Sequence, residues 1–363
     1  MKSYSRRKFL TTVTAGASLA SLSKAKAFSG KLPQEKKLGI ALVGLGYYAE
    51  FKITPGLLES KNCKLAGIVT GTPAKAAKWK EKFNLADENI YNYQNFDRIA
   101  DNKNINVVYV VLPNSMHPEF VIRAAKAGKH VITEKPMANS VKECEEMIAA
   151  CKKANVKLYV GYRLHFEPFN LEATRVGQQK IFGKVKVVES AMGFKIGDPT
   201  QWRLKKAMAG GGAMMDVGIY AIQGARYSTG EEPISVTAQE YKTDPIKFKE
   251  VDETIFWQME FPSGAVSSSI TTYASSIERL FISAENGWLE LSPAFGYGPL
   301  KGRTHQGPLD IPHTNHQALQ LDGMALGILE NRELNVTGEE GLKDLKIIEA
   351  IYRSIASGRK EKI

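Results

Sequence analysis

Cysteine is scarce: Cys63, Cys144 and Cys151 are the only three among 363 residues, and no two of them form a CxxC pair. That spacing supports neither a disulfide framework nor a thiolate zinc site. Cys144 and Cys151 fall two turns apart on one face of a predicted helix and read as core. Histidine is also sparse, with six residues and no H-E-x-x-H spacing, so no metal site is expected. The run Gly210-Gly211-Gly212 lacks a following G-K-[ST] and is not a P-loop. The apolar stretch from Phe9 to Leu22 is too short to span a bilayer as a helix. What the chain has in excess is positive charge, 49 Lys+Arg against 38 Asp+Glu, a net +11. Such a balance invites a nucleic-acid partner. However, six of those charges (Lys2, Arg6, Arg7, Lys8, Lys24, Lys26) lie in residues 1–27, which carry no acid. The remaining +5 is ordinary for a cleft that binds anions, and no nucleic acid is expected.

Residues 1–27 read as an export signal. Ser5-Arg6-Arg7-Lys8-Phe9-Leu10 is a twin-arginine pattern, a mildly apolar stretch follows, and Ala25-Lys26-Ala27 offers a small-x-small cleavage site. The expected location is therefore periplasmic, with the twin-arginine machinery as a partner. That route carries proteins already folded, often around a cofactor.

The length of 363 residues favours two domains. From Lys37 the sequence alternates short apolar runs with helical patterns. Strands are expected at Lys37–Gly46, Lys64–Thr70, Asn106–Pro113, His130–Glu134 and Lys157–Tyr162. Helices are expected at Pro73–Phe83, His117–Ala127 and Val141–Asn155. Strands separated by helices imply βαβ units, and Val107 to Leu112, apolar throughout, suits a strand covered on both faces. The class is α/β, with a doubly wound parallel sheet over residues 37–160. Within it stands Gly44-x-Gly46-x-x-Ala49, after a strand and before a helix. Gly44 permits the tight turn, Gly46 lets backbone approach a pyrophosphate, and a small Ala49 lets the helix pack on its strand. Tyr47 and Tyr48 open that helix. The second strand ends Val69-Thr70-Gly71-Thr72-Pro73, where an NAD site would place a carboxylate for the ribose 2′-OH. Lys75 and Lys78 follow instead, which favours a 2′-phosphate and hence NADP over NAD.

A charged pair, Glu134-Lys135, then Pro136, ends the strand that starts at His130, at the edge where parallel sheets bind ligands. With Leu112-Pro113-Asn114-Ser115-x-His117, Gly161-Tyr162-Arg163, Gln201-Trp202-Arg203-Leu204 and Met215-Asp216-x-Gly218-Ile219-Tyr220, the sequence resembles the glucose-fructose oxidoreductase (Gfo/Idh/MocA) family from Lys37 to Arg359. The resemblance implies that Lys135 is catalytic, with Asp216 and Tyr220 as its Asp-x-x-x-Tyr partners. It further implies that Thr70, Gly71, Leu112, Pro113, Asn114, His117, Glu134, Arg163, Trp202 and Arg203 help to hold the cofactor. Chemistry agrees with the catalytic roles. Oxidising a carbinol needs its hydroxyl proton removed, and a tyrosine of ordinary pKa about 10 is a poor base unless an ammonium stabilises its phenolate. Asp216 would otherwise serve as a plain helix N-cap.

After Tyr162 longer alternating strands dominate, between Lys184 and Ser292, followed by helices His313–Asn331 and Gly338–Ser357. A second domain, 161–363, is expected, α+β with a large, mainly antiparallel open sheet. Long strands with an uncovered face imply sheet-mediated oligomers, a homodimer or homotetramer. Arg163, His165, Trp202, Arg203, Tyr297, Asn315 and His316 suit a sugar substrate, beside Lys135, Asp216 and Tyr220. The expected activity is NADP-dependent sugar oxidation, with the bound cofactor recycled by a second carbonyl substrate. An NAD-dependent glycosidase acting through transient C3 oxidation is the alternative. The family's exported members carry a long proline-rich arm after the leader; here Phe28–Lys36 holds a single proline.

Overall fold

The computed structural model describes residues 37–363, so the expected leader lies outside the described residues. Six strands, β1 (Leu38–Val43), β2 (Cys63–Val69), β3 (Ile90–Tyr91), β4 (Val107–Val110), β5 (His130–Thr133) and β6 (Leu158–Val160), form one sheet in the order β3-β2-β1-β4-β5-β6. Every pairing in it is parallel. Strand order reverses between β1 and β4, which opens a crevice beyond their carboxyl ends. The crossovers are α1 (Thr54–Glu59), α2 (Pro73–Phe83), α3 (His117–Lys126) and α4 (Val141–Lys153). Helix α2 has the expected bounds because both ends carry local signals: Pro73 opens it, and Asn84 closes it in the left-handed region at φ 48°. Helix α4 starts where the Ser140 side chain accepts from Glu143 N. Strand β3 went unforeseen, since two residues carry no periodicity.

The rest of the chain comprises α5 (Pro168–Gln178), β7 (Val185–Gly193), α6 (Lys206–Ala209), α7 (Ile219–Thr229), β8 (Ser235–Tyr241), β9 (Thr254–Glu260), β10 (Val266–Thr272), β11 (Ile277–Ala284), β12 (Gly287–Leu291), β13 (Gly302–Thr304), β14 (Gly307–Pro308), α8 (His316–Leu329), α9 (Gly338–Ser357) and β15 (Glu361–Lys362). Nine strands form the second sheet, in the order β14-β13-β12-β11-β7-β10-β9-β8-β15, antiparallel except for β7 with β10. Strand β9 begins only at Thr254. Asp252 accepts Gly212 N and Met214 N, while Glu253 accepts Thr243 N and Asp244 N, so this stretch caps loops instead of pairing. Along β9, Ile255, Trp257 and Met259 are buried and Phe256 is exposed, the alternation of a sheet with one covered face. Helices α7 and α9 pack on the covered face. Helices α8 and α9 then return to α1 and α4, and Ser60 donates to Asp322 at 2.6 Å, tying the last quarter of the chain to the parallel sheet.

Candidate active site

A cleft of about 470 Å³ lies at the carboxyl ends of β1, β2, β4 and β5. Two glycines shape its floor. Gly44 has φ 93°, and a Cβ there would stand 2.3 Å from Val111 O, so no other residue fits. A Cβ on Gly46 would meet nothing within 4 Å, so that backbone faces open cleft, as a pyrophosphate cradle requires. Tyr47 and Tyr48 line the cleft at the start of the helical segment, which passes through a π-helical stretch, Ala49–Ile53, before α1. Ala49 is fully buried below it, in the packing role expected of it. On the far wall Thr70, Thr72 and Lys75 follow β2, and the described residues lining this end include no carboxylate. Gly71 does not line the cleft; it is held against the Tyr93 ring, 2.8 Å from where its Cβ would be. Lys78 is turned away, paired with Glu50 at 2.7 Å. Leu112, Pro113 and Asn114 form the side after β4, and Asn114 donates to Ala209 O at 2.8 Å. These residues fit a dinucleotide with room at the ribose for a 2′-phosphate.

At the other end stands the charged group. Lys135 Nζ donates to Asp216 O and lies 3.3 Å from Asp216 Oδ1. The same Nζ is 4.8 Å from the centre of the Tyr220 ring. Asp216 Oδ2 also accepts from Arg203 Nε at 3.0 Å and from Tyr273 OH at 2.9 Å. Burial opposes ionisation of this carboxyl, yet Arg203 and Lys135, with the Tyr273 hydroxyl, hold it well below the usual carboxylate range. For Lys135 burial works against the ammonium, while Tyr220, Asp216 and Glu134 outweigh it and raise its pKa, so it stays charged at neutral pH. Asp216 is not an N-cap. It sits inside a π-helical turn, Met214–Gly218, that leads straight into α7, and neither Ala213 nor Gly218 caps by side chain. Such turns recur at functional sites. Trp202 and Arg203 line the cleft beside it, with the Arg203 guanidinium 4.6 Å from the Trp202 ring.

Five more of the expected ligand residues are placed elsewhere. His117 is wholly buried and its ring nitrogens face the carbonyls of Leu112, Pro136 and Met137, so it braces the Glu-Lys-Pro turn rather than touching a cofactor. Arg163 is 1% exposed and its two terminal nitrogens face Phe295 O, Gly296 O and His316 Nδ1. His316 in turn is a buried acceptor, its pKa lowered to about 4 by burial and by Arg163. His165 stacks on Tyr162 and meets Tyr227 edge-on in a separate cavity, where burial lowers it to about 3. Asn315, read as a sugar contact, caps α8 by accepting from Gln317 N and Ala318 N. Tyr297 does line the cleft, 6.1 Å from Tyr48. Residues that sequence reasoning missed are Lys52, Thr72 and Tyr93 on its walls and Tyr273 on Asp216.

Glu134 ends β5 inside the cleft. Its Oε1 accepts from Tyr109 OH, which accepts from Gln320 Nε2 at 2.8 Å, and Gly161 is needed because a Cβ would lie 2.7 Å from this carboxylate. Burial pushes the carboxyl up to about 7, against the pull of Tyr109 and Lys135. A carboxyl raised on folding keeps its proton after the unfolded chain has lost its own, so stability falls as pH rises from about 4.5 to 7. In nucleotide-free protein, Glu134→Gln escapes this loss. Its stability relative to wild type should gain up to about 3 kcal/mol between pH 4.5 and 8 by urea denaturation. A difference that stays flat across that range refutes the shift.

The fold and this site define a class. Residues 38–162 match the NAD-binding Rossmann fold of the Gfo/Idh/MocA oxidoreductase family, and residues 171–290 match that family's C-terminal domain. The chain belongs to this family and is an NAD(P)-dependent oxidoreductase. It is 46% identical to an aldose-aldose oxidoreductase from Caulobacter crescentus, solved with glycerol, at a TM-score of 0.88 over 90% of this chain and 100% of that one. An NADP-dependent D-xylose 1-dehydrogenase of Haloarcula marismortui is 26% identical over 86% of this chain and 90% of its own length. A trans-1,2-dihydrobenzene-1,2-diol dehydrogenase of Xenopus laevis is 31% identical over 73% of this chain and 78% of its own.

Proposed function

We propose that this protein is an NADP-dependent aldose oxidoreductase of the periplasm that oxidises one sugar hydroxyl and reduces a second carbonyl compound on a cofactor it retains. The observation that carries the reading is the Lys135 ammonium held between the Asp216 carboxylate and the Tyr220 ring at the carboxyl end of β5. When bound, the nicotinamide supplies the hydride acceptor and donor. The protein's part is to handle the proton. Tyr220 Oη takes it from the sugar hydroxyl, and Lys135 stabilises the phenolate during that transfer. Asp216, kept ionised by Arg203 and Tyr273, fixes Lys135 in place. Glu134 supports the neighbouring wall through Tyr109. An aldose substrate is supported by the names of the relatives above, and NADP by Thr72 and Lys75 where an NAD site would place an acid.

Retention of the cofactor follows from compartment. An exported enzyme meets no assured supply of free nicotinamide, so a nucleotide carried through with the folded protein must be recycled on it. The exposed face of the nine-stranded sheet, with Tyr241, Phe256, Val266 and Ile277 at its surface, supports association with a second copy. The deciding experiment is mass spectrometry of nucleotide released from denatured, freshly purified protein. About one NADP(H) per chain is expected. Protein that emerges empty and works only with added NAD(P) removes the closed cycle and leaves a simple dehydrogenase.

A further inference from the structure

The segment joining β12 to β13 belongs to neither sheet, yet its backbone is fixed. Ala294 O accepts from Asn170 Nδ2 at 3.0 Å. Phe295 O accepts from Arg163 Nη2, and Gly296 O from Arg163 Nη1 at 2.9 Å. The amides of the same two residues, Phe295 and Gly296, donate to Glu278 Oε1. Three successive carbonyls and two successive amides are thus met by side chains, with a buried cation on one side and a carboxylate on the other. Gly296 permits the grip, because a Cβ there would lie 3.0 Å from Glu278 Oε2. The next residue is Tyr297, half exposed in the cleft, with the Arg163 guanidinium 4.5 Å from its ring centre and Lys52 Nζ also at 4.5 Å. Arg163 stands 5.2 Å from the Tyr220 ring as well, so one guanidinium spaces the proton-transfer tyrosine from the wall tyrosine.

We propose that Arg163 and Glu278 are positioning residues that fix Tyr297 as a wall of the sugar pocket, setting substrate affinity without touching substrate or cofactor. This rests on the sugar-oxidoreductase reading above. A planar fork with two parallel donors can serve two adjacent carbonyls at once, which a lysine ammonium cannot do in the same geometry. Arg163 lies three residues past the end of β6, so the last strand of the dinucleotide domain dictates where the aromatic wall of the other domain stands.

The test is a double-mutant cycle in nucleotide-loaded protein, using Arg163→Lys, Tyr297→Ala and both together. Each single change should raise KM for the aldose at least tenfold with kcat within threefold. The double variant should be no worse than Tyr297→Ala alone, within twofold. Glu278→Gln should reproduce Arg163→Lys, and it takes its place in the cycle if that variant does not fold. Hydrogen exchange at the amides of Phe295 and Gly296 should accelerate at least tenfold in Arg163→Lys, with the amides of β1 unchanged. Multiplying KM effects, or unaltered exchange at those two amides, overturns the proposal. If wild-type protein turns over no aldose, the sugar reading fails separately, and exchange at Phe295 and Gly296 alone decides whether the clamp exists.

Discussion

Replacing Lys135 by Met should lower aldose turnover by about 10³-fold while nucleotide affinity changes less than threefold. The magnitude follows from what is removed. General acid–base transfer contributes roughly 10²–10⁴ in rate, and it fails here if the proton acceptor loses its cation. Lys135 is the nearer of two cations over the Tyr220 ring, at 4.8 Å against 5.2 Å for Arg163, and Arg163 is held by loop carbonyls and cannot move in to replace it. A free phenol with a pKa of about 10 abstracts protons poorly at neutral pH. Methionine has nearly the same length and sits well against buried surroundings, so the change subtracts charge with little change in shape. Asp216 keeps Arg203 and Tyr273 as partners and does not become an unpaired buried charge. The nucleotide floor, Gly44, Gly46 and the Leu112–Asn114 side, is untouched by the change. Steady-state kinetics and a fluorescence titration with NADPH check both halves. Turnover within tenfold of wild type would remove Lys135 from the chemistry, and lost nucleotide binding would make it a cofactor anchor instead.

The parts of this molecule that were legible in its sequence are those whose causes are local. The glycine pair at Gly44 and Gly46, the Pro73 and Asn84 ends of α2, and the alternation in β9 each act within one turn or one strand. That Lys135, Asp216 and Tyr220 stand together was legible because each sits at a marked local feature, a strand end or a glycine-rich turn, and because the motifs around them are those of a family. Contacts made at long range left no such mark. Tyr273 reaches Asp216 across 57 positions, and Gln320 reaches Tyr109 across 211. His117, His165, Arg163 and His316 show the converse error. A polar side chain that faces backbone carbonyls, an aromatic ring or another side chain has the same letter as one that faces a ligand, and only burial and contacts separate them. The π-helical turn at Met214–Gly218 was also invisible, since nothing in its composition distinguishes it from an N-capped α-helix.

Arg226→Met should cost about 3–5 kcal/mol of stability at neutral pH, the size expected when one partner of a buried ion pair is removed. Arg226 is 2% exposed at its side chain and donates to Asp344, itself fully buried, at 2.7 Å, to Glu232 at 2.7 Å and to Glu340 at 2.9 Å. Asp344 also accepts from Tyr162 OH and Gln223 Nε2, each at 2.7 Å, and neither of those neutral donors replaces a cation. Burial already pushes the Asp344 carboxyl up, and Arg226 is the first influence opposing that. Without it the carboxyl rises further above its unfolded value, so the variant's stability falls as pH climbs through and beyond the carboxylate range. The loss against wild type should therefore be smaller at pH 5 than at pH 8. Adding Asp344→Asn to Arg226→Met should recover most of it, because the pair is then removed as a unit. Urea denaturation at the two pH values measures this, and an equal loss at both, or no recovery, refutes the account. The same pair has a functional side. Tyr220, Gln223 and Arg226 share α7, Tyr162 stands next to Arg163 at the exit of β6, and Asp344 belongs to α9. One buried carboxylate thus ties the helix carrying Tyr220 to the strand exit carrying Arg163. The destabilised variant should accordingly lose kcat as well as stability, even at temperatures where it remains folded.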